Sequence, residues 1–158
     1  MTYIFDIDGT LADCSHRLHF ILPPKEDLAG DIDLDKIAPD WESFYKDCVN
    51  DKPIMPVVEL LWALKNNGDK IIYVTGRPIK YMEETRNWLI KIIGDKHIVM
   101  FMRKDGDHRQ DYIVKKELYK NCIKPYHIID GVFEDRKQCV DMWRSLDLTC
   151  YQVADGNY

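Results

Sequence analysis

YIFDIDGTLAD (residues 3–13) opens as a strand and ends as something else. Its first half is aliphatic and aromatic, the composition of a buried strand. Its second half holds two aspartates one residue apart, followed by Gly9 and Thr10. Aspartate is a poor strand former, and an ionised carboxylate is costly to bury unless it is paired or binds a metal. Asp6 and Asp8 share a parity along the strand, so both side chains can point into one site.

Beyond this stretch, apolar runs alternate with helical patterns. The strands expected are TYIFDI (2–7), KIIYVT (70–75), HIVMFM (97–102), YHIID (126–130) and TCYQVA (149–154). Between them, residues 56–68 place Val57, Leu60, Leu61 and Leu64 at helical spacing. Pro56 suits the first turn of that helix and Gly68 its end. Residues 80–94 put Tyr81, Thr85, Trp88, Leu89 and Ile92 on one face. Residues 109–121 carry Ile113, Val114 and Leu118, and 136–146 turn Val140 and Trp143 inward. Strands alternating with helices through short connections predict an α/β fold, a doubly wound parallel sheet with helices on both faces. Ligands in such sheets bind outside the carboxyl ends of the strands. Asp6 and Asp8, Thr75, Arg103 and Glu134–Asp135 all fall there.

Residues 13–53 break the alternation, with prolines, many acids and one short helical stretch near 40–48. A segment this long directly after the first strand exceeds a plain βα loop, so it is expected to be a small cap over the site within one domain spanning 1–158. Within it, Asp31, Asp33, Asp35 and Glu42 fall at positions 1, 3, 5 and 12 of a calcium loop, but Lys36 replaces the required glycine and Pro39 intrudes. Counting such a loop from Asp6 places Leu11 at the glycine position. Both are read as something other than EF-hands.

The 158 residues carry a net charge of −5 and 31% charged residues, which argues against a surface built to grip long nucleic acid. The five cysteines, Cys14, Cys48, Cys122, Cys139 and Cys150, show no Cys-x-x-Cys spacing, so neither a zinc site nor a disulfide framework is expected. No signal-peptide pattern and no long apolar run are seen, which predicts a cytoplasmic protein without membrane contact.

Read together, the strand ends make a chemical set: Asp6 and Asp8, Thr75-Gly76-Arg77, Lys115, and Glu134-Asp135-Arg136. Acidic groups at neighbouring strand ends offer an oxygen-rich site for a hard cation such as Mg²⁺. The hydroxyl, the arginines and the lysine suit a phosphate. A carboxylate nucleophile gives an aspartyl-phosphate, and a second carboxylate can protonate the leaving oxygen and later deprotonate water. Gly9 and Gly76 permit turns whose N–H groups face the phosphate.

In these motifs the sequence resembles the haloacid-dehalogenase-like (HAD) phosphohydrolases. DIDGTLAD (6–13) is similar to their first motif. The resemblance implies a sheet order of 3-2-1-4-5, Asp6 as nucleophile, Asp8 as general acid/base and Thr75 holding the phosphate. It also implies Lys115 steadying nucleophile and phosphate, and Asp6, Asp8, Glu134 and Asp135 on the metal. Over residues 71–158, VTGRP, FMRKDGDHRQDYIVKKELY and VFEDRKQCVDMWRSLDLTCYQVADGNY resemble the 3′-phosphatase domain of bacteriophage-type polynucleotide kinases. That implies Arg77 on the phosphate, Asp111 orienting Lys115, and Arg103 facing the substrate. His16, Arg17, Trp41 and Phe44 of the insert are expected over the site, with Trp41 and Arg17 as substrate contacts.

Two departures stand out. The fourth motif starts with Glu134 where the family usually has aspartate, and no Gly-x₄-Gly-Lys-Ser/Thr phosphate loop exists in the sequence, so 5′-kinase activity is not expected of this chain alone. The expected function is a Mg²⁺-dependent phosphomonoesterase removing 3′-phosphates from nucleic-acid ends or nucleotides. The alternatives are a 5′-nucleotidase or other small-molecule phosphatase on the same core, and a catalytically silent binding protein.

Overall fold

The computed structural model describes residues 1–22, 38–94 and 97–156. The acidic stretch with Asp31, Asp33 and Asp35 lies outside the described residues. In chain order the elements are β1 (Thr2–Phe5), β2 (Ala12–Asp13), a 3₁₀ turn (Ser15–Phe20), α1 (Trp41–Lys46), β3 (Lys52–Pro53), α2 (Met55–Asn66), β4 (Lys70–Pro78), α3 (Met82–Ile93), β5 (Val99–Arg103), α4 (Asp111–Leu118), β6 (Gly131–Glu134), α5 (Lys137–Arg144) and β7 (Cys150–Gln152).

Five strands form one parallel sheet in the order β5-β4-β1-β6-β7. Strands β2 and β3 form a separate antiparallel pair. Taken alone and in chain order, the five strands of the main sheet run 3-2-1-4-5. The point where that order reverses lies between β1 and its two neighbours, at the end that carries Asp6 and Asp8.

Alternation along the strands feeds two cores. Ile4, Ile72, Val74 and Val132 pack on one face with Tyr119, Val140 and Trp143. Phe5, Tyr73 and Phe133 pack on the other with Val57, Val58, Leu61, Trp88 and Leu89. Every central strand is therefore covered on both sides, which is why it reads as an unbroken apolar run. Among the described residues no helix is long and apolar enough to cross a membrane. All five cysteines are free.

Two elements differ from the sequence reading. The fourth strand is 131–134, not 126–130: Tyr126 and Ile128 are 77% and 88% exposed. Pairing with β1 begins at Tyr3 and Gly131, and a side chain at 131 would meet the rings of Tyr3 and Tyr151 at 3.1–3.2 Å. Glycine, which normally weakens a strand, is needed there so that these rings close over it. In α2 the buried face is Val57, Val58 and Leu61, while Leu60 is 42% exposed, so the apolar stripe is turned from the one expected.

Candidate active site

Asp6 follows β1 directly, and its amide N–H donates to the Phe133 carbonyl of β6 at 3.0 Å. That bond holds the two strand ends level, so Asp6 meets Glu134 and Asp135. The three residues each offer a carboxylate oxygen, all within 4.8 Å of one another, and all three are buried. From α4, Lys115 Nζ reaches Asp6 Oδ1 and Glu134 Oε2 at 2.8 Å each, and Asp111 Oδ2 at 3.0 Å. Asp111 and Lys115 sit one helical turn apart, and Asp111 also accepts from Arg103 Nη2 at 3.1 Å. Burial, then repulsion from Glu134, pushes the Asp6 carboxyl well above the usual carboxylate range against the pull of Lys115. Burial works against the Lys115 ammonium, but Asp111, Asp6 and Glu134 outweigh it and hold it charged. Buried carboxylates crowded against one another are what a hard cation relieves, so the donor set fits a divalent metal.

Asp8 belongs to a second network. Arg77 Nη2 lies 2.6 Å from Asp8 Oδ1, and Arg17 Nη2 bonds the same oxygen. Both arginines also bond Asp51: Arg17 Nε at 2.7 Å and Arg77 Nη2 at 2.8 Å. Arg17, Arg77 and Asp51 are all buried. Trp88 Nε1 fixes Asp51 through its carbonyl at 2.8 Å, and Thr85 accepts from Arg77 Nη1 at 3.3 Å. Burial alone would raise the Asp8 carboxyl, but Arg77 and then Arg17 overrule it and hold it well below the ordinary range. A bulge delivers Arg77: Thr75 pairs with Met102 but Pro78 with Arg103, so Gly76 and Arg77 stand out of the ladder.

Groups expected on the substrate make contacts within the protein. Gly9 takes the positive φ of its turn, +80°, but its N–H donates to the Ala12 carbonyl at 2.9 Å rather than facing the site. Arg17 and Arg77 are engaged by Asp8 and Asp51. Arg103 lines the cavity, yet it mainly braces backbone, donating to the Gly76 carbonyl of β4 and to the Asp107 and Arg109 carbonyls of the following loop. Thr75 is buried beside them and accepts from the Arg77 amide at 3.2 Å. Gly76 is needed for a close approach: a side chain there would meet Asp111 Oδ1 at 2.2 Å.

Asp6 and Asp8 open onto a cavity of about 460 Å³. Gly76, Arg103 and Asp111 form its floor with them, and Trp41, Phe44, Tyr45 and Tyr81 form one wall. His16 lies at the edge of the second network, 3.2 Å from Asp47 and 3.9 Å from Asp51. Two residues escaped sequence reasoning. Asp51 sits in an acid-rich stretch with no motif to mark it. Tyr45 was discoverable, since it stands four residues after Trp41 on a helical pattern.

Residues 39–158 match the family model described as the polynucleotide kinase PNKP phosphatase domain. The chain belongs to that family. This HAD-type phosphatase, a phosphoric monoester hydrolase, is 32% identical over 129 residues to a protein of Autographa californica nuclear polyhedrosis virus named as a bifunctional polynucleotide kinase/RNA ligase, covering 78% of this chain but 19% of the viral one. A chain of the Pnkp1/Rnl/Hen1 RNA repair complex superposes on 99% of it with a TM-score of 0.74 and 30% identity, over 43% of that chain. The class C acid phosphatase from Bacillus anthracis shares the fold, with a TM-score of 0.65 at 13% identity over 99% of this chain and 67% of that one. The phosphatase thus spans about a fifth of its viral relative and less than half of the repair-complex chain. Phosphatases of this type generally use a divalent metal.

Proposed function

We propose that this phosphatase removes 3′-phosphates from nucleic-acid ends or nucleotides, with Asp6 as nucleophile, Asp8 as acid and base, and Mg²⁺ as its metal. The observation that carries the reading is the buried triad of Asp6, Glu134 and Asp135, with Lys115 inserted between Asp6 and Glu134, at the foot of a cavity reaching Asp8. The 3′ position and the nucleic-acid end rest on the family match.

Asp6, Glu134 and Asp135 would hold the metal with their carboxylates, and Asp8 with its backbone carbonyl. Mg²⁺ supplies positive charge that offsets the carboxylates and the incoming phosphate. A carboxylate oxygen of Asp6 attacks phosphorus while Lys115 fixes its other oxygen. The bond from phosphorus to the leaving 3′ oxygen breaks, and Asp8 delivers a proton to that oxygen. Asp8 then takes a proton from water as the water oxygen attacks phosphorus, the phosphorus bond to Asp6 breaks, and the carboxylate returns. Arg17 and Arg77 are the donors beside Asp8. A phosphate that takes over their bonds frees Asp8 for this proton traffic, which reconciles the contacts above with a role for Arg77 and Arg17 on substrate. Glu134, one methylene longer than the usual aspartate, meets Lys115, and Asp135 carries more of the metal. In the same reading residues 13–53 act as a cap within one domain, since α1 supplies the aromatic wall.

The test is phosphate release with Mg²⁺ from a 3′-phosphorylated oligonucleotide, a 3′-mononucleotide and a 5′-mononucleotide, with Asp6→Asn as blank. Preference for the 3′-phosphates is expected. Preference for the 5′-mononucleotide would overturn the substrate assignment and keep the chemistry; release undiminished in Asp6→Asn would remove the nucleophile.

A further inference from the structure

The aromatic wall plays no part in the phosphate chemistry, and α1 divides its rings between two tasks. Phe44 is buried, its ring 4.1 Å from the Arg17 guanidinium carbon, and its carbonyl accepts from Arg17 at 3.0 Å. It anchors the insert to the buried ion network. Trp41 and Tyr45, four residues apart and therefore on one helix face, line the cavity beside it. Trp41 is 44% exposed, which an anchoring tryptophan would not be. Its ring stacks on Tyr45 at 5.8 Å with 26° between planes, and Tyr45 meets Tyr81 at 5.6 Å. The Tyr45 hydroxyl is pushed up to about 12 by burial, with Asp8, Arg103, Asp111 and Arg136 acting on it. Tyr45 is thus within electrostatic reach of the catalytic floor, while its ring continues the stack toward solvent through Trp41.

Resting on the 3′-phosphatase reading, we infer that Trp41 and Tyr45 form a stacking face for the base of the substrate's terminal nucleoside. The rings share one cavity with Asp6 and Asp8, and that continuity points to the occupant: the group that carries the phosphate. Among groups attached to a 3′-phosphate, the base is the flat one. Every base has a π-face, so such a wall holds the end without reading its sequence. A cavity of about 460 Å³ is of the size that receives a small ligand, which suits one terminal nucleoside released from pairing.

The test compares two 3′-phosphorylated single strands, identical except that one ends in an ordinary base and the other in an abasic tetrahydrofuran. In the wild-type protein with Mg²⁺, kcat/KM is expected to be roughly five- to 150-fold higher for the base-bearing end, mostly through KM. In Trp41→Ala that ratio falls toward one, and Trp41→Phe restores much of it. A ratio near one in the wild-type protein, or a ratio unmoved by Trp41→Ala, overturns the stacking face and leaves the 3′-phosphatase reading standing. No release from either strand, with release from a 5′-mononucleotide, removes that reading and this inference with it. The abasic comparison needs no variant, so a Trp41→Ala protein that fails to fold does not block the test.

Discussion

Two buried ion networks meet at this site, and they are built on opposite charge accounts. In the first, Asp6, Asp111, Glu134 and Asp135 face Lys115 and Arg103, with Arg136 at the edge, 4.0 Å from Asp111. Negative charge is in excess even when all three cations are counted. In the second, Asp8 and Asp51 face Arg17 and Arg77, two against two. An excess of buried carboxylate is a demand for a cation. A balanced set makes no such demand. Its arginine forks bind two carboxylates at once and tie residues 17 and 51 of the insert to residues 8 and 77 of the core. The first network is a receptor, and the second is a lock that also holds the proposed acid.

The largest effect expected from breaking this contrast is catalytic. Asp6→Asn keeps the shape of the first network and removes the proposed nucleophile, so phosphate release should fall on the order of 10³-fold or more with the urea midpoint little changed. Activity close to wild type would show that the receptor holds metal for some other attacking group.

The next effect is on stability and separates the networks directly. Asp51→Ala leaves two buried guanidinium groups short of a partner, and removing one member of a buried pair costs about 3–5 kcal/mol. Asp111→Asn takes one charge from a set already in excess, and Lys115 keeps Asp6 and Glu134, so about 1 kcal/mol is expected. Urea denaturation of both variants in EDTA measures the difference. Equal losses would mean that the charge accounts do not set the stability of either network.

Metal sharpens the comparison from the other side. Saturating Mg²⁺ at about a hundred times its Kd adds roughly 2.7 kcal/mol, or about 5–10 °C in Tm for a chain of this size. Asp135→Asn should abolish most of that shift, whereas Asp51→Asn should retain it if it folds. A shift that survives Asp135→Asn would place the cation elsewhere.

How much of this was legible in the sequence follows the same division. The first network is spelled out by motif residues: Asp6, Glu134 and Asp135 each stand where an apolar run stops, and the one-turn spacing of Asp111 and Lys115 on α4 announces their contact. The second depends on Arg17 and Asp51, drawn from a stretch without periodicity. Nothing local marks a buried aspartate among many acids, since only the tertiary approach of Arg17, Arg77 and Trp88 makes Asp51 special. The fold shows a similar limit. Helices and central strands follow from apolar periodicity, but in YHIID Tyr126 and Ile128 are exposed while GVFE is the strand, because register is set by pairing with Tyr3 and by the room that Gly131 leaves for two rings. The expected partner of Arg77 was a phosphate, and residue type alone does not say that an aspartate occupies it first.

The smallest effect comes from a third set of charges, on the rim. Arg109 bonds Asp107 and Glu117 at 2.7 Å each, on the loop that Arg103 braces beside the cavity. Arg109 and Glu117 face solvent, and Asp107 is half-buried. Hydrogen bonds from Arg109 hold the Asp107 carboxyl below its ordinary range, and the Glu117 carboxyl likewise. A depressed carboxyl means that the unfolded chain binds more protons, so stability rises with pH through this window. The contribution is present above the unfolded carboxylate range near pH 4 and is lost as pH falls through the lower folded values. Arg109→Ala should remove only this small slope, and salt should erase the difference from wild type, because exposed pairs are screened within a Debye length of about 3 Å at 1 M. The buried networks should keep their stability differences under the same salt. If Arg109→Ala destabilised the protein as much as Asp51→Ala, and salt left that loss intact, the rim would belong with the lock, and burial would no longer be what separates strong ion networks from weak ones in this molecule.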